Sequence, residues 1–549
     1  MKNRSLLVRG PGAPPVPSPS SEPPLVQDSS TPGSPTRGIG LQSICGLLLA
    51  LSTLALASCH SDAYYYYKFP EYTYAGRPVP PSKLAERVMI GYTANGSSGG
   101  LAIVDGLRDI RSNVEDTIAD FAIGGYSSGY PGTIFNFPSE MRGYVYSNSD
   151  GSLTSIDYST EASAGPVGTY QSGANAVAVP PTFTRFYGAE EAAGVLEVVD
   201  NSTSSTYVLN IPNVYKVVAN TGDTVALAMV RNANVLYRVF KLNQDQYPTN
   251  IAAIQATGSV DCEPSLLPAY CAVSVPGTYD RPTGVYFSLD GTTAYVLNCG
   301  PECGGKTASV TLLQQGPLNN NVIPSSPVQP NPMIANVPVP GGVTAALSDG
   351  STLYLAGQSQ YAIGSNGTTV GAANPQGLFA GYLTTMNQAT NTITGTYSIS
   401  DGTHTKLLFA DNNTLWIGSS FCATGVRQYL FAGGNTTQAA NYNCLTRVVL
   451  SGTPQAPQSV QIVPAVNQAG GTVHAVTLPY PNQNNNQYYY GSLTGICWVQ
   501  TLNKVYTAYG GQVHIFSTID GSEINNQYVT VQGTALDVAY IDAADDQAD

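Results

Sequence analysis

The sequence predicts an all-β fold, a β-propeller of about eight four-stranded blades that is closed by pairing its N- and C-terminal segments. Three observations support this prediction. The composition is rich in strand- and turn-forming residues, a strand–turn–strand unit recurs along the chain, and incomplete sheets at the two ends complement each other. The alternative is seven blades, in which one of the hairpins is a loop insertion and does not form a blade.

The composition excludes several classes of protein. Charged residues make up 10% of the 549 residues, where about a quarter is usual. The chain contains 36 tyrosines and 56 glycines, and such residues suit strands and turns better than helices. The formal net charge is −13 and no basic stripe appears, so nucleic acid is not an expected partner. The length suits a closed array of repeats.

The clearest repeat is VYFSLDGTTAYVLN at 285–298, in which a Ser-x-Asp-Gly turn joins two apolar strands. Weaker copies of this hairpin recur, and they are 134–147, 176–188, 217–230, 343–356, 406–418 and 496–508. A third strand follows several of them, and these strands are 152–157, 194–199, 235–240 and 511–516. A four-stranded unit with such turns is typical of a propeller blade.

The segment FSLDGTTAYVLN within this repeat closely resembles the YVTN-type β-propeller repeat, and residues 515–531 resemble its outer part. The resemblance implies a propeller fold. It does not imply one function, because propellers host many, including the lactonases of the wider YVTN-type group.

The two ends of the predicted propeller complete each other. Residues 535–541 have the pattern of an innermost strand with no second strand after it, whereas 87–92 and 99–105 have the pattern of second and third strands with no first. One blade built from both ends would remove the exposed edges of an open array. The propeller is therefore predicted to span 87–542, followed by an acidic tail at 543–549.

The start of the chain predicts export. Residues 37–59 contain Arg37, an uncharged apolar run and the ending Leu56-Ala57-Ser58-Cys59. This ending resembles the lipobox of bacterial lipoproteins, which implies that Cys59 is acylated and inserts into a lipid bilayer. His60, and not an aspartate, directly follows the cysteine, so the outer membrane is the expected location. A plain transmembrane anchor with a chance cysteine is the alternative.

Two further segments flank this signal. Residues 1–36 are rich in Pro and Ser and predict either a disordered extension or a mis-assigned start. Residues 60–86 are rich in Tyr and Pro and predict an extended tether between the lipid and the propeller.

Export also predicts disulfides, because spaced cysteines are usually oxidised outside the cytoplasm. Sequence proximity favours three pairs, with other connectivities left open, and these are Cys262–Cys271, Cys299–Cys303 and Cys422–Cys444. Cys497 would then be a buried thiol. A zinc site is disfavoured because the chain has no C-x-x-C pair and only 4 histidines, so no metal is assigned.

Two motifs match catalytic patterns but lack the structural context that those patterns need. The segment CGPECGGKT at 299–307 matches a phosphate-binding loop, yet the residues after Lys306 predict a strand instead of a helix. The segment at 125–129 matches G-x-S-x-G, yet Pro131 follows where an elbow requires a helix. We therefore predict two loops, with no nucleotide, no cofactor and no catalytic residue.

The candidate ligand residues are Asp280, Arg281, His404 and Lys406. They lie where the chain is predicted to begin innermost strands, so they should gather at one mouth of the central channel. The alternative is a set of solvated turn residues. Two functions are consistent with this prediction. One is a binding or scaffolding module for an envelope protein, peptide or glycan, and the other is a hydrolase of the lactonase type with its site at the channel mouth.

Overall fold

The protein is described by a computed structural model. The model describes residues 74, 76–111, 121–171, 173–242, 260–263, 269–319, 330–360, 378–432, 441–464, 466–467, 472–473, 489–524 and 529–546. The predicted segments 1–36 and 37–59, with Cys59, lie outside the described residues, as do most of the predicted tether and the last three residues of the acidic tail.

Eight antiparallel sheets follow one another along the described chain, and each is a propeller blade. Blade 1 consists of Pro131–Phe137, Arg142–Ser147, Ser152–Asp157 and Ala162–Thr169. Blade 2 consists of Ala176–Ala178, Arg185–Glu190, Val195–Asp200 and Ser205–Asn210. Blade 3 consists of Val214–Ala219, Ala226–Val230, Leu236–Lys241 and Tyr270–Ser274, with Val260–Cys262 added at its outer edge. Blade 4 consists of Pro282–Phe287, Thr293–Asn298, Ser309–Gln314 and Met333–Pro338.

The second half of the chain repeats the same arrangement. Blade 5 consists of Ala345–Ser348, Thr352–Gln360, Phe379–Asn387 and Thr392–Ser398. Blade 6 consists of Thr403–Ala410, Thr414–Ser420, Leu445–Ser451 and Ala456–Val463. Blade 7 consists of Leu493–Val499, Lys504–Tyr509, Gln512–Ser517 and Glu523–Ile524. Blade 8 consists of Thr534–Tyr540, Arg87–Thr93 and Gly99–Asp105, and Ala102 forms a bridge with Ala122 at its outer edge.

Little other regular structure occurs in the described residues. A short hairpin joins Val466–Asn467 to Thr472–Val473. Helical turns occupy Pro138–Glu140, Gly300–Cys303, Gln315–Leu318, Cys422–Thr424 and Val426–Ala432. Among the described residues, none of the helices has the length and apolar character needed to cross a bilayer.

The turn chemistry of the repeat explains why the hairpins form. In blade 4, the Asp290 carboxylate accepts hydrogen bonds from the Thr292 backbone N–H (3.0 Å) and the Ser288 hydroxyl (2.6 Å), and Gly291 takes φ +71°. Short polar side chains and glycine favour such a turn, since they satisfy its backbone and tolerate positive φ. All seven predicted hairpins form the first and second strands of blades 1 to 7, which confirms eight blades over seven.

Apolar side chains fill the space between neighbouring blades. Between blades 5 and 6, for example, Tyr354, Leu383, Ile417 and Val448 form one buried cluster. A blade in a ring has a neighbour on each face, so its middle strands are buried on both faces. The sequences of these strands are therefore nearly continuous runs of apolar residues. The first strand of each blade is innermost, and these strands lie side by side around a central channel.

Blade 8 joins the two ends of the propeller, as predicted. Thr534–Tyr540 is its innermost strand and pairs antiparallel with Arg87–Thr93. Beside this pairing, the Arg87 guanidinium contacts Asp542 through Nε–Oδ2 (2.9 Å) and Nη2–Oδ1 (2.7 Å), and both side chains are 2% exposed. Arg87 also reaches Glu161, which follows the third strand of blade 1, at 3.0 Å. The described end of the predicted tether joins this network, because Arg77 contacts Asp542 at 2.6 Å.

The three predicted disulfides are confirmed. Cys262–Cys271 links directly paired residues of the outer strands of blade 3, Cys299–Cys303 closes the loop after the second strand of blade 4, and Cys422–Cys444 closes a loop of blade 6. Cys497 is buried on the innermost strand of blade 7, outside these disulfides.

Candidate functional site

A pocket of about 410 Å³ opens where blades 3 to 6 begin their innermost strands. We call it the channel-mouth pocket. Its lining comes from the starts of the innermost strands of blades 3, 4 and 6, from Thr344 just before that of blade 5, and from loops of blades 3 and 4. Four consecutive blades therefore contribute to one cavity, at the mouth where the sequence predicted that ligand residues gather.

Backbone irregularities help to shape this lining. The pairing of the first two strands shifts register at Tyr215 in blade 3, at Thr283 in blade 4 and at Thr405 in blade 6. All three of these residues line the pocket. A β-bulge re-aims side chains locally. The same shift occurs in the first strand pair of blades 1 and 7, so it belongs to the repeat and is not confined to the pocket.

The structure brings together two of the four predicted ligand residues. Arg281 and His404 line the channel-mouth pocket, whereas Asp280 and Lys406 are not part of its lining. The Asp280 carboxylate accepts hydrogen bonds from the backbone N–H groups of Lys306 (2.6 Å) and Thr307 (2.7 Å). Lys406 lies further along its strand, where Nζ is 3.4 Å from Asp537 Oδ1 on blade 8.

The loop that resembles a phosphate-binding loop has a different role. After the helical turn Gly300–Cys303 the chain continues into the strand Ser309–Gln314, so no helix follows Lys306 and the predicted hairpin context is confirmed. Instead, the loop places Glu302 at the pocket. The Glu302 carboxyl accepts hydrogen bonds from the Gln358 backbone N–H (2.8 Å) and from Gln358 Nε2 (3.0 Å), and burial raises its pKa to about 7.

Lys216 is the most unusual side chain in the lining. It lies on the innermost strand of blade 3 and makes no hydrogen bond or ion pair with any residue that the structure describes. Burial lowers the pKa of its amine, because desolvation disfavours the charged form. The sequence analysis did not identify Lys216. Its signal, a lone lysine in the apolar run VYKVV, is visible only once the strand is known to face the channel.

Two arginines complete the cationic part of the pocket. Arg281 adopts φ +58°, and its buried Nε has no hydrogen-bond partner among the described residues. Arg231 is half-exposed, donates from Nη2 to Glu191 Oε2 at 2.8 Å, and lies 4.3 Å above the ring of Tyr215. Arg231 is therefore already neutralised, whereas Arg281 is not.

His404 contributes a neutral ring. Its side chain is fully buried, and Nε2 lies 2.9 Å from the Ser400 carbonyl oxygen. Since that oxygen can only accept, Nε2 must carry the proton. Nδ1 is then an acceptor, and it has no partner among the described residues. Burial lowers the pKa of the ring to about 4, so His404 is uncharged at neutral pH.

The segment that matches G-x-S-x-G has a structural role, and the described residues form no metal site. Residues 125–129 form a loop, as predicted, in which the Ser128 hydroxyl donates to Asp150 at 2.7 Å. Within the part of the chain that the structure describes, no three His, Cys, Asp or Glu side chains cluster in a way that could hold a metal ion.

Comparison with known proteins found distant structural similarity and no family. No family model matches the chain, and no curated protein sequence matches it. Similar solved structures include hydrazine synthase from Kuenenia stuttgartiensis (14% identity, 74% of this chain, 99% of that chain, TM-score 0.39). They also include the dihydro-heme d1 dehydrogenase NirN in complex with DHE (10% identity, 86% of this chain, 82% of that chain, TM-score 0.46). A third is the β-propeller domain of Cps50 (Swd1) from Myceliophteria thermophila (8% identity, 74% of this chain, 88% of that chain, TM-score 0.35).

The raised pKa of Glu302 predicts a specific pH dependence. In the unfolded chain this carboxyl ionises near its ordinary pKa of 4.5, whereas in the folded protein it keeps its proton up to about 7. The folded state then binds more protons in this window, so stability falls as pH rises from 4.5 to 7. E302Q lacks this titration. Between about pH 5 and pH 8, wild type should lose about 1–3 kcal/mol more unfolding free energy than E302Q.

Chemical denaturation of both proteins at the two pH values measures this difference. The titrations of the other acidic residues affect wild type and E302Q equally, so their contributions cancel in the comparison. If the unfolding free energies of wild type and E302Q change equally between the two pH values, Glu302 ionises at its ordinary pKa and the prediction is wrong.

Proposed function

We propose that the protein is a binding module of the bacterial cell envelope, held at the membrane by an acylated Cys59, whose propeller binds a small polar ligand or glycan in the channel-mouth pocket. One observation carries the proposal. Lys216 and Arg281, from two neighbouring blades, line this pocket without a counter-ion among the described residues.

Unsatisfied buried polar groups lower stability. Their presence in a pocket is understandable if a ligand satisfies them, and cavities of about 300–1,000 Å³ are typical of small-molecule sites. The frame around the pocket is rigid, because its lining comes from strands of four blades that pack against each other. Such preorganisation reduces the entropy cost of binding.

The envelope location rests on two features. The ending Leu56-Ala57-Ser58-Cys59 resembles a lipobox. The three disulfides of the propeller suit an oxidising compartment, since disulfides rarely persist in the cytosol. The outer membrane is the proposed destination because the residue directly after Cys59 is His60 and not an aspartate.

A hydrolase of the lactonase type is the second candidate, and Glu302 is the observation that favours it. A carboxyl with a pKa of about 7 could act as a general acid or base at neutral pH. The binding module is the better-supported function because the neighbouring His404 is fully buried and its Nε2 is committed to Ser400.

Blocking the pocket tests the proposed site. Thr405 is exposed within the pocket, so T405W should fill it. T396W is the matched control, because Thr396 is exposed on the outermost strand of blade 5. The full chain in detergent is screened by thermal shift against neutral sugars, sugar acids and dipeptides at about 10 mM, which saturates sites of millimolar affinity. Every compound that stabilises wild type should stabilise T396W but not T405W. No stabilising compound, or unchanged binding by T405W, contradicts the proposal.

Replacing Cys59 tests the anchor. In a bacterial host, the wild-type chain should sediment with membranes and carry a diacylated N-terminal cysteine by mass spectrometry. C59A should lose the lipid. Membrane fractions that contain wild type with an unmodified Cys59 would contradict lipidation and favour the transmembrane alternative.

A further inference from the structure

Lys216 and Arg281 of the channel-mouth pocket lack the carboxylate partner that several other cations of the described propeller have. Several partly buried cations elsewhere meet a carboxylate within 3.4 Å, and these are Arg185 with Asp223, Lys241 with Asp200, Lys406 with Asp537 and Lys504 with Asp109. Lys216 and Arg281 meet none among the described residues. Two buried arginines elsewhere, Arg238 and Arg447, also lack a carboxylate, but their guanidinium groups donate to backbone carbonyl oxygens. The side chains of Lys216 and Arg281 make no such hydrogen bond to the described residues, and both line the pocket.

The acidic groups nearby do not supply that charge. Glu302 lines the pocket, but it keeps its proton up to about neutral pH because burial raises its pKa to about 7, and its oxygens accept hydrogen bonds from Gln358. Glu191 is committed to Arg231. Asp280 holds the backbone of the 299–307 loop. The pocket lining therefore carries excess positive charge, which an anionic ligand would balance.

The rest of the lining is rich in hydroxyl groups. Thr283 donates to the Val343 carbonyl (2.9 Å) and Thr344 donates to the His404 carbonyl (2.8 Å), so both oxygens keep lone pairs that can accept. Thr403 and Thr405 are exposed in the pocket. Such a lining suits a ligand that carries hydroxyl groups as well as a charge.

We propose that the channel-mouth pocket binds a hydroxylated carboxylate, that is, a sugar acid, with the carboxylate between Lys216 and Arg281 and the hydroxyl groups against the threonines. The inference rests on the proposed function, because it assigns a ligand class to the same site. Lysine gives a point charge and arginine gives directed N–H groups, and together they favour a carboxylate over a neutral group. A terminal or branching uronate of an envelope glycan would present this chemistry.

Matched sugars test the ligand class. D-glucuronate and D-galacturonate are compared with D-glucose and D-galactose, which differ from them in having a hydroxymethyl group in place of the carboxylate. Binding to the full chain in detergent is measured by calorimetry. At least one uronate should bind about tenfold or more tightly than its neutral counterpart, because a charge-assisted hydrogen bond is lost in the neutral sugar.

Variants assign this preference to the two cations. K216M and R281N should each weaken uronate binding by about 10- to 100-fold. Asparagine is chosen at 281 because it tolerates the positive φ of that residue. K306M is the control, since Lys306 is exposed on the neighbouring loop outside the pocket lining. Circular dichroism confirms that each variant is folded, and K306M should bind as wild type does.

A second readout needs no substitution. Bound uronate should protect the Lys216 amine from reductive methylation while Lys306 stays reactive, and peptide mass spectrometry measures both modifications.

The failures of the two proposals are distinguishable. If neutral sugars bind as well as uronates, and T405W abolishes binding while K216M does not, the pocket is a site but the sugar-acid inference is wrong. If no uronate binds or protects Lys216, the inference is also wrong. If binding survives T405W, the site itself is wrong.

Discussion

The pairing of Thr534–Tyr540 with Arg87–Thr93 is the constraint on which the rest of the structure depends. Without it, blades 1 and 7 would each expose an apolar face, and blade 8 would lose its innermost strand. The buried contact of Arg87 with Asp542 and Glu161 fixes this closure, because it ties the start of the propeller to its end and to blade 1. Removing one partner of such a buried pair typically costs about 3–5 kcal/mol, since the other charge is left uncompensated.

Closure also positions the candidate site. The channel-mouth pocket is lined by residues of blades 3 to 6, so its shape depends on the curvature of the whole ring and on no single blade. Within that frame, Tyr215, Thr283 and Thr405 lie at register shifts of the innermost strands and line the pocket. The unsatisfied amine of Lys216 lies next to one of these shifts, on the innermost strand of blade 3.

Much of the fold could be predicted from sequence because its determinants are local. The turn residues Asp290 and Gly291 specify a hairpin without reference to the rest of the chain, and close spacing in the sequence was enough to pair the cysteines. The site was less predictable. Arg281 and His404 were found from their position before innermost strands, but Asp280, adjacent to Arg281, binds loop backbone instead. Lys216 and Glu302 were missed because membership of the pocket depends on ring curvature and on the folded form of the 299–307 loop, neither of which is written in a local pattern.

Native-state hydrogen exchange, read by mass spectrometry, tests the closure most directly. If the ring is held by its ends, the amides of 88–92 and 535–540 should exchange only through global unfolding, with the same free energy as the amides of 294–297 in the middle of blade 4. Exchange of the terminal strands at a much lower free energy, while blade 4 stays protected, would show that blade 8 opens on its own. That result would contradict the account, because the ring and its channel-mouth pocket would then persist without the terminal pairing.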